Sequence, residues 1–313
     1  MQRVSLRSIL AASAICALGN AALAFAQLSP PSTPPPLALP TPPPPPALPV
    51  PVPITLSISG NEAVGAFDIA GIGADLRIFF TNVVGLTSTA LDATATLVDP
   101  LDPALLSRLP GSGVCVPPTA GAVCVPVGFP VLIRISPSAS SGLSFEGIYT
   151  ISFHTHNLHL DPNVPFSLFK SPDGGPFKDI TKSEGRGSYR DDGGGGDFSE
   201  FLIAVDLRDV DSIIAGKFDD LQALLTNNAD SIAPDVLATL QSSLSDARTL
   251  YQSGAIVRAI VAISAFSRYV RAHSGEDIPD VWRANCSPLV NVAGLLRSGA
   301  DTLRFSLDRR LSR

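Results

Sequence analysis

The sequence has little charge: 16% of its 313 residues are Asp, Glu, Lys or Arg, where a soluble domain has about a quarter. It lacks a basic excess as well, with a net charge of −6. Nucleic acid is excluded as a partner, because neutralising phosphates needs a cationic footprint. Past the first thirty residues there is no long apolar run, which excludes a polytopic membrane protein. Aromatics are scarce at 6%, with one Trp and four Tyr, so platforms for stacking sugars are few. No G-x-S-x-G, phosphate loop, dinucleotide fingerprint or H-E-x-x-H occurs, and Ser167-Leu168-Phe169-Lys170 matches S-x-x-K without its companion motifs. The chain therefore reads as a non-enzyme. Disorder throughout is excluded by a hydrophobic content of 45%.

The clearest signal present is at the start. Arg3 and Arg7 precede an apolar run from Ile9 to Ala26 that closes on Ala24-Phe25-Ala26. This order predicts a signal peptide over 1–26, export to the periplasm or medium, and no membrane span after cleavage. Residues 27–53 then carry fourteen of the 29 prolines. Proline fixes φ and removes a donor, so this stretch reads as a polyproline II spacer of roughly 80 Å.

The rest divides by period. From 54 to 210 short apolar runs alternate with polar residues, as in Ile54-Leu56-Ile58, and Gly, Pro, Asn and Asp separate them. Eight or nine such runs predict an antiparallel β-sandwich. From 211 to 313 the spacing becomes helical: Leu237, Leu240, Leu244, Ala247 and Tyr251 form one stripe. Four such segments predict a small helical bundle. The fold class is thus α+β, an N-terminal β-sandwich followed by a C-terminal bundle. Residues 54–210 hold 9 Lys/Arg against 17 Asp/Glu, whereas 211–313 hold 11 of each. The Arg309, Arg310 and Arg313 cluster reads as a helix-end complement. The junction at 205–211 has no Gly, Pro or Ser run, which predicts that the two parts dock as one unit.

Candidate chemistry is sparse. His154, His156 and His159 are three of the four histidines. On a strand, 154 and 156 share a face, and 159 follows with Asp161 behind it. These four residues could hold zinc, while the alternative is an ordinary strand end without a cofactor. Cys115 and Cys124 lie in a near-repeat, Val-Cys-Val-Pro, and predict a disulfide at a hairpin tip in an oxidising compartment. Cys286, near Trp282, reads as a small buried residue. Asp191, Asp192 and Asp197 bracket Gly193 to Gly196, where a loop between strands is favoured over a calcium site. Tyr189 is the one candidate sugar platform.

Three resemblances add to this reading. Leu168-Phe169-Lys170-Ser171, Phe177-Lys178-Asp179-Ile180-Thr181 and Phe198-Ser199-Glu200-Phe201 resemble the ending of bacterial extracellular β-sandwich modules. That resemblance implies a structural or binding unit without catalytic residues. Gly254 to Leu307 is similar to small helical modules appended to secreted bacterial proteins. Phe153 to His159, Ser264-Ala265-Phe266 and Asp280-Val281-Trp282-Arg283 together resemble a family of uncharacterised secreted proteobacterial proteins, which implies no activity. The leading expectation is a secreted, non-enzymatic structural or binding protein with an unknown protein or envelope partner. The alternative is a metal-binding protein, or metal-dependent hydrolase, built on the His cluster.

Overall fold

The computed structural model describes residues 50–115, 119–159, 164–172, 174–185, 188–285 and 290–312. The expected signal peptide, most of the proline-rich segment, Asp161 and Cys286 lie outside them. Residues Leu48–Arg313 form one compact unit. Its first strands are β1 (Val52–Pro53), β2 (Leu56–Ser59), β3 (Glu62–Ile69), β4 (Ile72–Val84), β5 (Ala93–Leu97), β6 (Val123–Cys124) and β7 (Val131–Ile135). They are followed by β8 (Ser144–His159), β9 (Phe166–Ser171), β10 (Lys178–Asp179), β11 (Thr181–Gly185), β12 (Ser188–Gly195), β13 (Glu200–Asp206) and β14 (Val281–Arg283). The helices are α1 (Pro103–Leu106), α2 (Val210–Asn227), α3 (Pro234–Gln252), α4 (Ile256–Ala272) and α5 (Val292–Leu311).

The strands make two antiparallel sheets of seven. The first runs β1-β5-β7-β13-β9-β10, with β6 also on β13, and the second runs β11-β12-β8-β4-β3-β2, with β14 also on β8. Alternation decides which side chains face the core. In β4, Ala74, Leu76, Ile78 and Phe80 are buried, and Asp75, Arg77 and Phe79 point outward. Phe145, Tyr149, Ile151 and Phe153 of β8 join the same cluster as Ile133, Phe201 and Ile203 of the first sheet. Phe153 and Phe201 meet across the sheets at 6.2 Å between ring centroids. Each such side chain, fully buried, contributes about 1.5–3 kcal/mol. Val52 and Pro53, within the expected spacer, pair with Ala95 and Thr94 at a sheet edge, where a proline removes no ladder bond.

Helices form where the period changes to 3.6. Asp209 caps α2 through its carboxylate, and Pro234 opens α3 at a position where a missing amide is harmless. Ile214, Phe218, Leu240, Ile263, Phe266, Leu296 and Leu303 share one core. Three residues, Leu207 to Asp209, join β13 to α2, and Arg208 is held there by both carboxylate oxygens of Asp206.

Two expectations need correction. Gly193 to Gly195 are not a loop but part of β12, paired with Ile151, Thr150 and Tyr149 of β8. Side-chain room is short along this stretch: a Cβ on Gly193 would sit 2.5 Å from Ile180 Cδ1 and one on Gly195 2.5 Å from the Tyr149 hydroxyl, and just past the strand α5 closes in. A Cβ on Gly196 would sit 2.8 Å from the Leu295 amide nitrogen and 3.0 Å from the Asn291 carbonyl oxygen. In the same contact the Ser298 hydroxyl donates to the Gly194 carbonyl at 2.7 Å, and the Asn291 amide donates to the Gly147 carbonyl at 2.6 Å. Trp282, read as part of the helical region, belongs to β14, where it stacks on Phe145 at 5.4 Å.

Cys115 and Cys124 are disulfide-bonded, as the near-repeat predicts, and Cys124 lies on β6 against Val205. Arg309 and Arg310 end α5 in ion pairs with Glu184 and Asp211, at 3.1 and 2.7 Å. Among the described residues, no helix is long and apolar enough to cross a membrane.

Candidate metal centre

The site lies on the outward face of the second sheet, on the central pair β4 and β8. The register sets Asp75 directly opposite His154, and His156 follows two residues later on the same face. Alternation buries the neighbouring Phe153 and Thr155, which holds both imidazoles outward. His154 Nδ1 lies 3.0 Å from Asp75 Oδ2, and His156 Nε2 lies 3.3 Å from Asp75 Oδ1. One carboxylate thus spans two imidazoles whose ring centroids are 5.8 Å apart.

The neighbouring turn holds this end of the sheet. Ala70 and Gly71 join β3 to β4 with φ of 55° and 82°, the left-handed pair that a tight hairpin requires. Asn157 clamps it, accepting from the Gly73 amide at 2.9 Å and donating to the Gly71 carbonyl at 2.9 Å. Gly73 makes room for His156: a Cβ there would lie 3.0 Å from its Nδ1.

Partial burial raises the Asp75 carboxyl, but hydrogen bonds and charge from the two imidazoles outweigh it. Its pKa therefore lies below the ordinary carboxylate value, and it is an anion at neutral pH. The donor atoms of Asp75, His154 and His156 all lie within 4.8 Å of one another. Zinc bonds of about 2.0–2.1 Å place donors roughly 3.3 Å apart, so modest side-chain rotation closes the set. Two imidazoles and a carboxylate suit zinc and other divalent first-row ions. With the side chains 29–49% exposed, further positions on the ion stay open to solvent or a co-ligand.

A groove of about 490 Å³ runs from the triad across the sheet, lined by Arg77, Glu184, Arg190 and Asp192 among others. Arg190 is exposed and pairs with His154 from β12, so Asp75, His154 and Arg190 form a row across three strands. Ser183 donates to Asp192 at 2.6 Å, and Ser152 donates to its other oxygen.

The structure brings together two of the four expected ligands. His159 stays outside the group, because β8 bulges: His154 pairs with Arg190 but His159 already pairs with Ser188. Asp161 falls outside the described residues. Asp75, missed in the sequence, stands where alternation sends it outward, but only strand pairing shows that it faces His154. Asp191 and Asp192 cannot share an ion, since Asp191 is buried beneath the sheet and Asp192 faces the groove. Asp197 is taken by Lys170. The side chain of Tyr189 is among those not described.

The chain belongs to a family of unknown function (DUF6689), whose sequence model matches residues 37–310. No curated protein and no solved structure matches it.

Proposed function

We propose that this member of a family without an assigned function is an exported, non-enzymatic binding protein that takes a divalent transition-metal ion on Asp75, His154 and His156. The observation that carries the reading is one carboxylate oxygen within 3.0–3.3 Å of each imidazole on an open sheet face. Arg190 beside the triad favours an anionic co-ligand on the ion's open positions. The shared core of the two sheets supports a β-sandwich as the platform. The N-terminal pattern supports export, and the Cys115–Cys124 bridge fits an oxidising compartment.

Calorimetric titration of tag-free protein with ZnCl₂ tests the reading. One ion binds per chain, and Asp75→Ala or the His154→Ala/His156→Ala double variant weakens binding more than tenfold, whereas His159→Ala does not. Absence of saturable binding, or equal binding by all variants, defeats it. Turnover of ester or peptide substrates that depends on the same residues would replace it with a metal-dependent hydrolase.

A further inference from the structure

We infer a second binding site, independent of the first: a cavity of about 270 Å³ between α2, α5 and both sheets, which takes a small, uncharged, largely apolar molecule through one hydrogen-bond acceptor. Protein interiors pack to crystal-like density, and side chains ordinarily fill the space between a helix and a sheet. Here Gly194 and Gly195 of β12 and Gly299 of α5 put bare backbone on the cavity wall. Ile180, Leu224 and Leu295 supply the apolar remainder.

The charged groups on the wall select the ligand. They come as compensated pairs: Lys170 with Asp197, Lys178 with Asp220, and Lys217 with Asp179. The wall is therefore neutral, and an ion entering it would lose hydration without gaining a counter-charge. An ammonium has three protons to donate. Lys217 uses all three, on Asp179 Oδ2 at 2.7 Å, the Thr302 carbonyl at 3.2 Å and the Ser306 hydroxyl at 2.9 Å. Lys170 donates to the Asp197 carbonyl at 2.7 Å and to the Asp197 carboxylate, and among the described residues it has no third acceptor. It is only 8% exposed, so its remaining proton faces the cavity it lines rather than bulk water. A ligand carbonyl or ether oxygen satisfies that proton. The volume falls just below the roughly 300–1,000 Å³ of drug-sized sites, which limits the ligand to one or two rings.

The test is fluorescence titration of the full chain, in EDTA, with 6-propionyl-2-(dimethylamino)naphthalene, a neutral fluorophore with one carbonyl acceptor. EDTA separates the outcome from the metal site. Saturable one-to-one binding with blue-shifted emission is expected. Leu224→Phe and Leu295→Phe fill the cavity from different helices, and each should weaken binding at least tenfold while the circular dichroism stays native. If one of them does not fold, the other carries the test. Lys170→Met should weaken binding by about tenfold, the effect of one charge-assisted hydrogen bond. No saturable binding by the natural chain, or binding that a folded filling variant leaves intact, overturns the proposal.

Discussion

Lys217 of α2 and Asp179 of β10 form a buried ion pair, Nζ to Oδ2 2.7 Å, with side chains 8% and 6% exposed. The pair ties the helices to the first sheet at a point where neither charge has water to fall back on. Removing one partner strands the other, at a cost of about 3–5 kcal/mol, whereas replacing both with apolar groups can be neutral. Lys217→Met should therefore destabilise the chain far more than Lys217→Met combined with Asp179→Leu. Urea unfolding followed through Trp282, the only Trp, measures both.

The same pair sets an acid limb. Burial raises the Asp179 carboxyl, but the charge and hydrogen bonds of Lys217, with those from Thr181, bring it below its ordinary value. A carboxyl depressed in the folded state stabilises fully above its unfolded pKa, about 3.9, and loses that contribution as pH falls through the lower folded value. Melting temperatures below pH 4 should fall more steeply for the natural chain than for Asp179→Asn.

Asp301 behaves in the opposite sense. Burial raises it more than Lys182, Arg304 and Arg297 lower it, so its folded pKa lies above the ordinary value. Its ionised form then opposes folding at neutral pH. Asp301→Asn should raise the melting temperature at pH 7, and the gain should vanish below about pH 4, where both chains are neutral at this position.

Glycine content has a sharp test in Gly196. Gly196→Ala drives a Cβ into the α5 backbone and should cost about 1–3 kcal/mol, the usual range for overpacking. Gly216→Ala in α2 meets nothing within 4 Å and should instead stabilise by about 0.5–1 kcal/mol. Thermal unfolding of the two variants side by side separates packing from propensity.

Reducing the Cys115–Cys124 bridge releases a loop with a sequence separation of 9. In the chain-entropy description such a loop is worth roughly 2.7 kcal/mol. The Cys115→Ser/Cys124→Ser variant should lose about that much in urea, with little change in far-ultraviolet circular dichroism.

What the sequence determined alone is whatever depends on neighbours along the chain. Alternation in Ile54 to Ile58 and in 75–80 is a local property, and so is the helical stripe of Leu237 to Tyr251. The stripe lies within α3, Pro234–Gln252, whereas the strands are displaced or longer: β2 is Leu56–Ser59 and β4 runs Ile72–Val84. The facing of His154 and His156 to one side follows from the same period of two. The paired Val-Cys-Val-Pro segments made the disulfide legible because the two cysteines are only nine positions apart. Tertiary structure decided the rest, because it rests on pairing between distant segments. Asp75 becomes a partner of His154, 79 residues away, only through the register of β4 on β8. Gly193 to Gly196 read as a loop by composition, since glycine is poor in strands, yet Ile180 at Gly193, Tyr149 at Gly195 and the α5 backbone at Gly196 leave no room for a Cβ. Trp282 sits in a run of helices, but its strand completes a sheet that begins more than two hundred residues earlier. The neutral cavity requires Lys170, Asp197, Lys217 and Asp179 to converge from four separate stretches of chain. No local pattern encodes that convergence, because the energies that select it arise only when water is excluded from between the sheets and the helices.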